Sequence, residues 1–161
     1  MPGASAYHQL LGVEARELTG QDSAQALEQA IARYNDAWNR HDLEAIIAMH
    51  APDMVFQNHT AGESAQGGAV RDKIAAIFET WPDISFSTRR LYVREGLVVQ
   101  EWTATGTHAS TMRRGDLVAE PTGKRIEWDG LDVMPFENGL LKRKDVYSDS
   151  VSILRQLGLL E

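Results

Sequence analysis

The chain contains no cysteine. That absence removes disulfides, thiolate nucleophiles and Cys-ligated metal together. The five histidines show no HExxH or other regular ligand spacing, so no metal and no cofactor is expected. No apolar run approaches the roughly 20 residues of a membrane span. No basic segment followed by an apolar one opens the sequence, so a cytoplasmic chain without a membrane partner is expected. Lysine and arginine number 16 against 23 acidic residues, a formal charge of −7, and they form no basic stripe. Nucleic acid is therefore a poor partner. Repeats and low-complexity tracts are also missing. What is there is 161 residues, 43% hydrophobic, which is too apolar for general disorder and long enough for a real core.

Residues 1–20 are weakly patterned. Leu10, Leu11, Val13 and Leu18 suit a short helix ended by Gly20, read as an N-terminal extension packing on the domain or on a partner subunit. Residues 21–161 read as a single domain. Asp22 or Ser23 caps a helix in which Leu27, Ile31, Tyr34 and Trp38 recur at helical spacing, ending near His41. Asp42 caps a second helix carrying Leu43, Ile46, Ile47 and Met49, and Pro52 stops it. Residues 54–58 read as a short strand, followed by a polar loop to Gly68. A third helix spans residues 69–81, with Val70, Ile74, Ile77 and Phe78 inward. Beyond Pro82 the pattern turns to strands: 84–94 and 97–108 around Glu95-Gly96, then 126–136 and 140–147 around Glu137-Asn138-Gly139. A long polar connection over 109–124, containing Arg113 and Arg114, separates the hairpins. A short C-terminal helix ends the chain, with Asp149 as its cap. Helices first and an antiparallel sheet later mean an α+β fold.

The strand over 126–136 carries the functional signal. Ile126, Trp128, Gly130, Asp132, Met134 and Phe136 share one face, because strand side chains alternate. That face is apolar except for Asp132. A carboxylate there costs free energy unless it is paired, protonated or used.

The stretch ARYNDAWNRHDLEAIIAMHAPDMVF, the two hairpins and DVMPFENG resemble the nuclear-transport-factor-2-like superfamily. Residues 23–158 carry the resemblance, and the second hairpin with YSDSVSILRQLG looks most like its SnoaL-like polyketide-cyclase branch. The resemblance implies a cone: a curved antiparallel sheet wrapped around the N-terminal helices, closing on a deep apolar pocket, commonly in a homodimer. That cone hosts isomerases, cyclases, epoxide hydrolases and non-catalytic modules, so the fold does not set the chemistry.

Similarity to the ketosteroid isomerases puts their oxyanion-hole tyrosine on Tyr34 and their protonated carboxylic acid on Asp132. Their general base falls on Asn58, which cannot take a proton; His59 is adjacent but points to the other face if the strand continues. In the limonene-epoxide-hydrolase-like members the Asp-Arg-Asp group falls on Ala104, Trp102 and Val146, with the Asn and Tyr of the water site on Asn58 and Phe56. Those departures disable epoxide hydrolysis. The acid/base aspartate of the SnoaL-like cyclases also falls on Val146, one residue after Asp145, and their histidine on Asp132. The last hairpin leaves two registers open: a two-residue turn sets Asp132 opposite Asp145, and a three-residue loop sets it opposite Lys144. The Lys144 register is preferred, because in the relatives that face of the last strand lines the pocket.

The expected site is thus Asp132, Tyr34, Asn58, His59 and Lys144 for chemistry, with Phe56, Trp102, Ala104, Met134 and Val146 contacting substrate. The expected reaction is isomerase or cyclase chemistry on a polycyclic or ketone-bearing apolar metabolite. Tyr34 and Asp132 stabilise the enolate, and His59, Lys144 or the substrate moves the proton. The alternative is a ligand-binding or dimerisation module that kept the cone and lost the base. Each residue also has a bland reading: Tyr34 as core, Asn58 as a turn-former, Asp132 as a buried structural carboxylate.

Overall fold

The structure, a computed structural model, describes residues 20–160; the helix expected over Leu10 to Leu18 lies outside them. Helix α1 (Ala24–Asn39) starts where Ser23 Oγ accepts the Ala26 N–H at 3.2 Å. Its buried stripe is Leu27, Ala30, Ile31, Tyr34, Ala37 and Trp38. Full burial of a side chain such as Leu27 or Ile31 contributes about 1.5–3 kcal/mol. His41, at φ 55°, turns the chain, and Asp42 accepts the Ala45 N–H at 3.0 Å to start α2 (Leu43–Ala48).

Strand β1 (His50–Asn58) begins four residues earlier than its sequence pattern implies, so Pro52 lies inside a strand instead of ending a helix. Proline lacks an N–H and is tolerated where a ladder is irregular, and the pairing of β1 slips between His50 and Val55. The expected loop after it holds a short strand, β2 (Glu63–Gln66), paired back on β1. Helix α3 (Ala69–Thr80) buries Val70 and Ile74. Strands β3 (Ser85–Arg94) and β4 (Leu97–Thr107) form the first hairpin. The expected polar connection contains a second small hairpin, β5 (Met112–Arg114) and β6 (Leu117–Ala119). Strands β7 (Arg125–Glu137) and β8 (Leu140–Ser148) precede α4 (Ser150–Leu157), which Asp149 caps at 2.9 Å from the Ser152 N–H.

The six main strands form one curved, unclosed sheet in the order β2-β1-β8-β7-β4-β3. Neighbours are antiparallel except β1 and β8, which run parallel. Helix α1 packs on β3 and β4, and its apolar stripe merges with the inward face of the sheet. Along β4 the even positions Val98, Gln100, Trp102 and Ala104 are buried, and along β7 the even positions Ile126, Trp128, Asp132, Met134 and Phe136 are buried.

The register of the last hairpin matches neither sequence alternative at Asp132. Asn138 and Gly139 both have positive φ, 53° and 75°, and form a two-residue turn in which Glu137 faces Leu140. Such turns match the twist of the flanking strands. The Asp22 carboxylate accepts both turn N–H groups at 2.8 Å. Between Val133 and Phe136 the ladder then slips by one residue, so Asp132 pairs with Val146. Pro135 sits in this gap. The Phe136 N–H points to Gly96 O at 2.9 Å, so the N–H that proline lacks falls on the β8 side. Lys144 and Val146 consequently share the inward face with Asp132, while Asp145 turns outward.

Candidate functional site

The inward faces of α1, β1, β4, β7 and β8 enclose a pocket. Its walls are aromatic: Trp38, Trp81, Trp102 and Trp128, joined by Phe56 and Phe86. These rings hold one another edge-on, with Trp102 against Phe86 at 5.2 Å and 88° and Trp38 against Phe86 at 5.8 Å and 82°. Such pairs fix ring orientation beyond simple burial. Trp102 depends on the residue across from it in the ladder, Gly130. A Cβ at Gly130 would lie 2.2 Å from two carbons of the indole. The glycine is the space that the Trp102 ring occupies.

Two charged side chains lie in the buried part of this pocket. Asp132 is 2% exposed and Lys144 7% exposed, and Lys144 Nζ stands 3.3 Å from Asp132 Oδ2. The ammonium also sits 4.5 Å from the Trp38 ring centre and 5.1 Å from that of Tyr34. Burial works most strongly against a charged lysine, but the Asp132 carboxylate and the Tyr34 oxygen together outweigh it and raise the Lys144 pKa above the ordinary lysine value. The other oxygen, Asp132 Oδ1, is buried without a hydrogen-bond partner, as are the indole Nε1 atoms of Trp38 and Trp102. Unpartnered buried polar atoms are rare in folded proteins, and strain, a bound water or ion, or a role in a site accounts for them. Trp38 also acts on the Tyr34 hydroxyl, which leaves Asp132 Oδ1 and Trp102 Nε1 as the acceptor and donor on lining residues with no other partner.

Three further polar residues line the pocket but are already engaged. Gln100 and Asn35 exchange amide hydrogen bonds at 2.6 and 3.1 Å, tying β4 to α1. Asn58 reaches the pocket, while its Oδ1 accepts the Ala61 N–H at 3.1 Å and shapes the turn after β1.

Of the residues expected from sequence, Asp132, Lys144, Asn58, Phe56, Trp102 and Val146 meet at this pocket. Four do not. Tyr34 is buried beside it, and its hydroxyl shares a 2.9 Å hydrogen bond with His50 Nε2 instead of facing the cavity. Burial raises the Tyr34 pKa, with Lys144 opposing. Burial, helped by Lys144, pushes His50 down to about 4, so that ring is neutral at pH 7. His59 falls on the outer side of the sheet because Asn58 takes the inward position. Its Nε2 meets Asp145 Oδ1 at 2.7 Å and its ring stacks on Tyr147 at 4.3 Å. Asp145 is also clamped by Arg143, which holds its carboxyl below the usual range. Ala104 and Met134 are fully buried in the core without reaching the pocket wall.

Several lining residues were not anticipated. Trp81 and Trp128 contribute walls, and Gln100 was legible in principle as the one polar even position of β4. Arg114 and Ser148 also line the pocket. Arg114 comes from a three-residue strand too short to show a period.

No helix among the described residues is long and apolar enough to cross a membrane. No curated protein sequence matches the chain. Solved structures match across most of it. AclR, a hydroxylase candidate from Streptomyces galilaeus, superposes with a TM-score of 0.74 at 22% identity, covering 86% of this chain and 100% of its own. IdmH, a polyketide cyclase candidate from Streptomyces antibioticus, gives 0.68 at 24%, covering 81% and 97%. A SnoaL-like polyketide cyclase candidate from Jannaschia sp. CCS1 gives 0.72 at 15%, covering 93% and 100%. At these identities the likeness establishes the fold. Residues 31–144, more than half of the sequence, match the SnoaL-like domain, and with the cone and its pocket in view the chain belongs to that family, within the nuclear-transport-factor-2-like superfamily.

Proposed function

We propose that the pocket binds a ring-bearing, largely apolar metabolite through a carbonyl oxygen and carries out enolate chemistry of the isomerase or cyclase type. The observation that carries this reading is the buried Lys144–Asp132 pair on an aromatic-walled pocket, with Asp132 Oδ1 left without a partner. An apolar cavity with a few convergent polar groups is the usual form of a small-molecule site.

In this reading Asp132 Oδ1 takes a proton from the carbon next to the substrate carbonyl. The C–H electrons move into the carbonyl, and the resulting oxyanion rests on the Lys144 ammonium and an indole N–H. Returning the proton from Asp132 to a different carbon completes an isomerisation. In a cyclisation the enolate carbon instead attacks a second carbonyl of the same molecule, and the new alkoxide takes the proton from Asp132. Tyr34 and His59 have no step in this scheme, since neither reaches the pocket. The sheet's outer face, which exposes Tyr92 and Tyr147, supports a homodimer formed face to face.

A second reading is favoured by one observation: Asn58 stands where the ketosteroid isomerases have a base and is engaged by the Ala61 N–H. On that reading the cone binds ligand without turning it over. The test is a titration with 2-naphthol, whose phenolic oxygen imitates an enolate, followed by the naphthol's own emission on wild type and Asp132→Asn. The enzymatic reading expects the variant to bind at least about ten-fold more weakly, or ~1.4 kcal/mol, and to lose turnover of cyclic ketones. Unchanged naphthol binding in the variant, with no turnover by wild type, rejects it in favour of the binding module.

A further inference from the structure

The pocket holds a second, unbalanced charge. Among the described residues that line it, the charged side chains are Asp132, Lys144 and Arg114. Lys144 is neutralised by Asp132. Arg114 is not neutralised. Its Nε and Nη1 are buried without a hydrogen-bond partner, and no ion pair to it forms among the described residues. The carboxylate that acts on it electrostatically is Glu63, which is paired with Lys73. The lining therefore carries one net positive charge inside a chain whose formal total is −7.

The β5–β6 hairpin brings this side chain to the pocket. Met112 and Ala119 of β5 and β6 are buried, and they pair across the ladder. Strand alternation puts Arg114 on the same side as Met112 and sends Arg113 out to solvent. Gly115, at φ 58°, makes the turn that follows. Guanidinium keeps its proton even when buried, unlike a lysine or histidine in the same position. A guanidinium with two buried, unpartnered nitrogens is a receptor for an oxyanion, and its strongest pairing is a charge-assisted hydrogen bond to a carboxylate.

We propose that Arg114 is a specificity residue that selects ligands bearing a carboxylate on the apolar ring system. The β5–β6 hairpin is then the element that reads this group, while Lys144 and Asp132 handle the carbonyl end. The inference rests on the pocket being the small-molecule site proposed above, and its test separates the two failures.

The experiment is isothermal calorimetry with two probes, 2-naphthol and 6-hydroxy-2-naphthoate, on wild type, Arg114→Gln, Arg114→Lys and the solvent-facing control Arg113→Gln. Wild type is expected to bind the carboxylate probe at least about ten-fold tighter than the neutral one, in line with a desolvated charge-assisted pair. Arg114→Gln should bring that ratio below about three, Arg114→Lys should recover part of it, and Arg113→Gln should retain it. Equal affinities in wild type, or a ratio that survives Arg114→Gln, overturns the assignment of Arg114 while leaving the pocket reading intact. A ratio lost equally in Arg113→Gln also overturns it, because the effect is then general surface charge. Failure of wild type to bind either probe overturns both proposals.

Discussion

Tyr34 and His50 form a neutral buried pair, and the imidazole is what makes it sensitive to acid. In the folded chain His50 titrates at about 4, whereas its ordinary value is 6.5. Between those values the unfolded chain takes up a proton that the folded chain refuses, so folding stability falls as pH drops through this window. The contribution is fully present above the ordinary value and is lost toward the lower one. From pH 7 to pH 5 the expected loss is about 2 kcal/mol. Urea denaturation at the two pH values checks it. His50→Gln, which keeps a polar partner for Tyr34, should flatten that difference, and an identical pH dependence in the variant would show that other groups cause it. The sequence shows Tyr34 on a helical apolar stripe and His50 at a boundary. It does not show that the two meet, because their contact crosses from α1 to β1 and depends on a strand that starts before Pro52.

At the scale of elements, the decisive pairing is β4 with β7. Trp102 faces Gly130, and only the missing Cβ lets the indole lie across the strand. Gly130→Ala should therefore cost about 2 kcal/mol, as overpacked sites do. In a Trp102→Leu background the same substitution should cost less than half as much. A double-mutant cycle by denaturant melts measures this coupling. Strictly additive costs would mean that Gly130 accommodates something other than the indole. The inward face of β7 is readable from its alternation, which is why Asp132 stands out in the bare sequence. The slip near Pro135 is not readable, because turn type fixes register only next to the turn. A bulge introduced further along moved Asp132 opposite Val146 and still left Lys144 within reach of it.

At the scale of the molecule, the outer face of the sheet presents Tyr92 at 53% exposure and Tyr147 at 46%. Exposed aromatic side chains on a sheet face are where a partner surface would pack. The homodimer proposed above predicts twice the chain mass by light scattering at micromolar concentration. It also predicts a monomer for Tyr92→Glu combined with Tyr147→Glu, with the melting profile of the chain kept cooperative. A wild-type monomer rejects the dimer. The cone itself was legible because helical and strand periods report burial, and burial is what a fold imposes on a sequence. The pocket was legible only in part. Cavities are bounded by residues far apart in the chain, and Arg114 reaches the lining from a hairpin that carries no period of its own.

The sequence contains four tryptophans, and all four border the same cavity. Under selective indole excitation every tryptophan photon therefore leaves from the walls of one chamber, with no remote indole to dilute the signal. Water entering that chamber reddens the whole emission, and an occupant that absorbs in the same band dims all of it. The molecule carries an optical gauge of its own occupancy, and unlabelled compounds can be sorted by colour and brightness before any reaction is known.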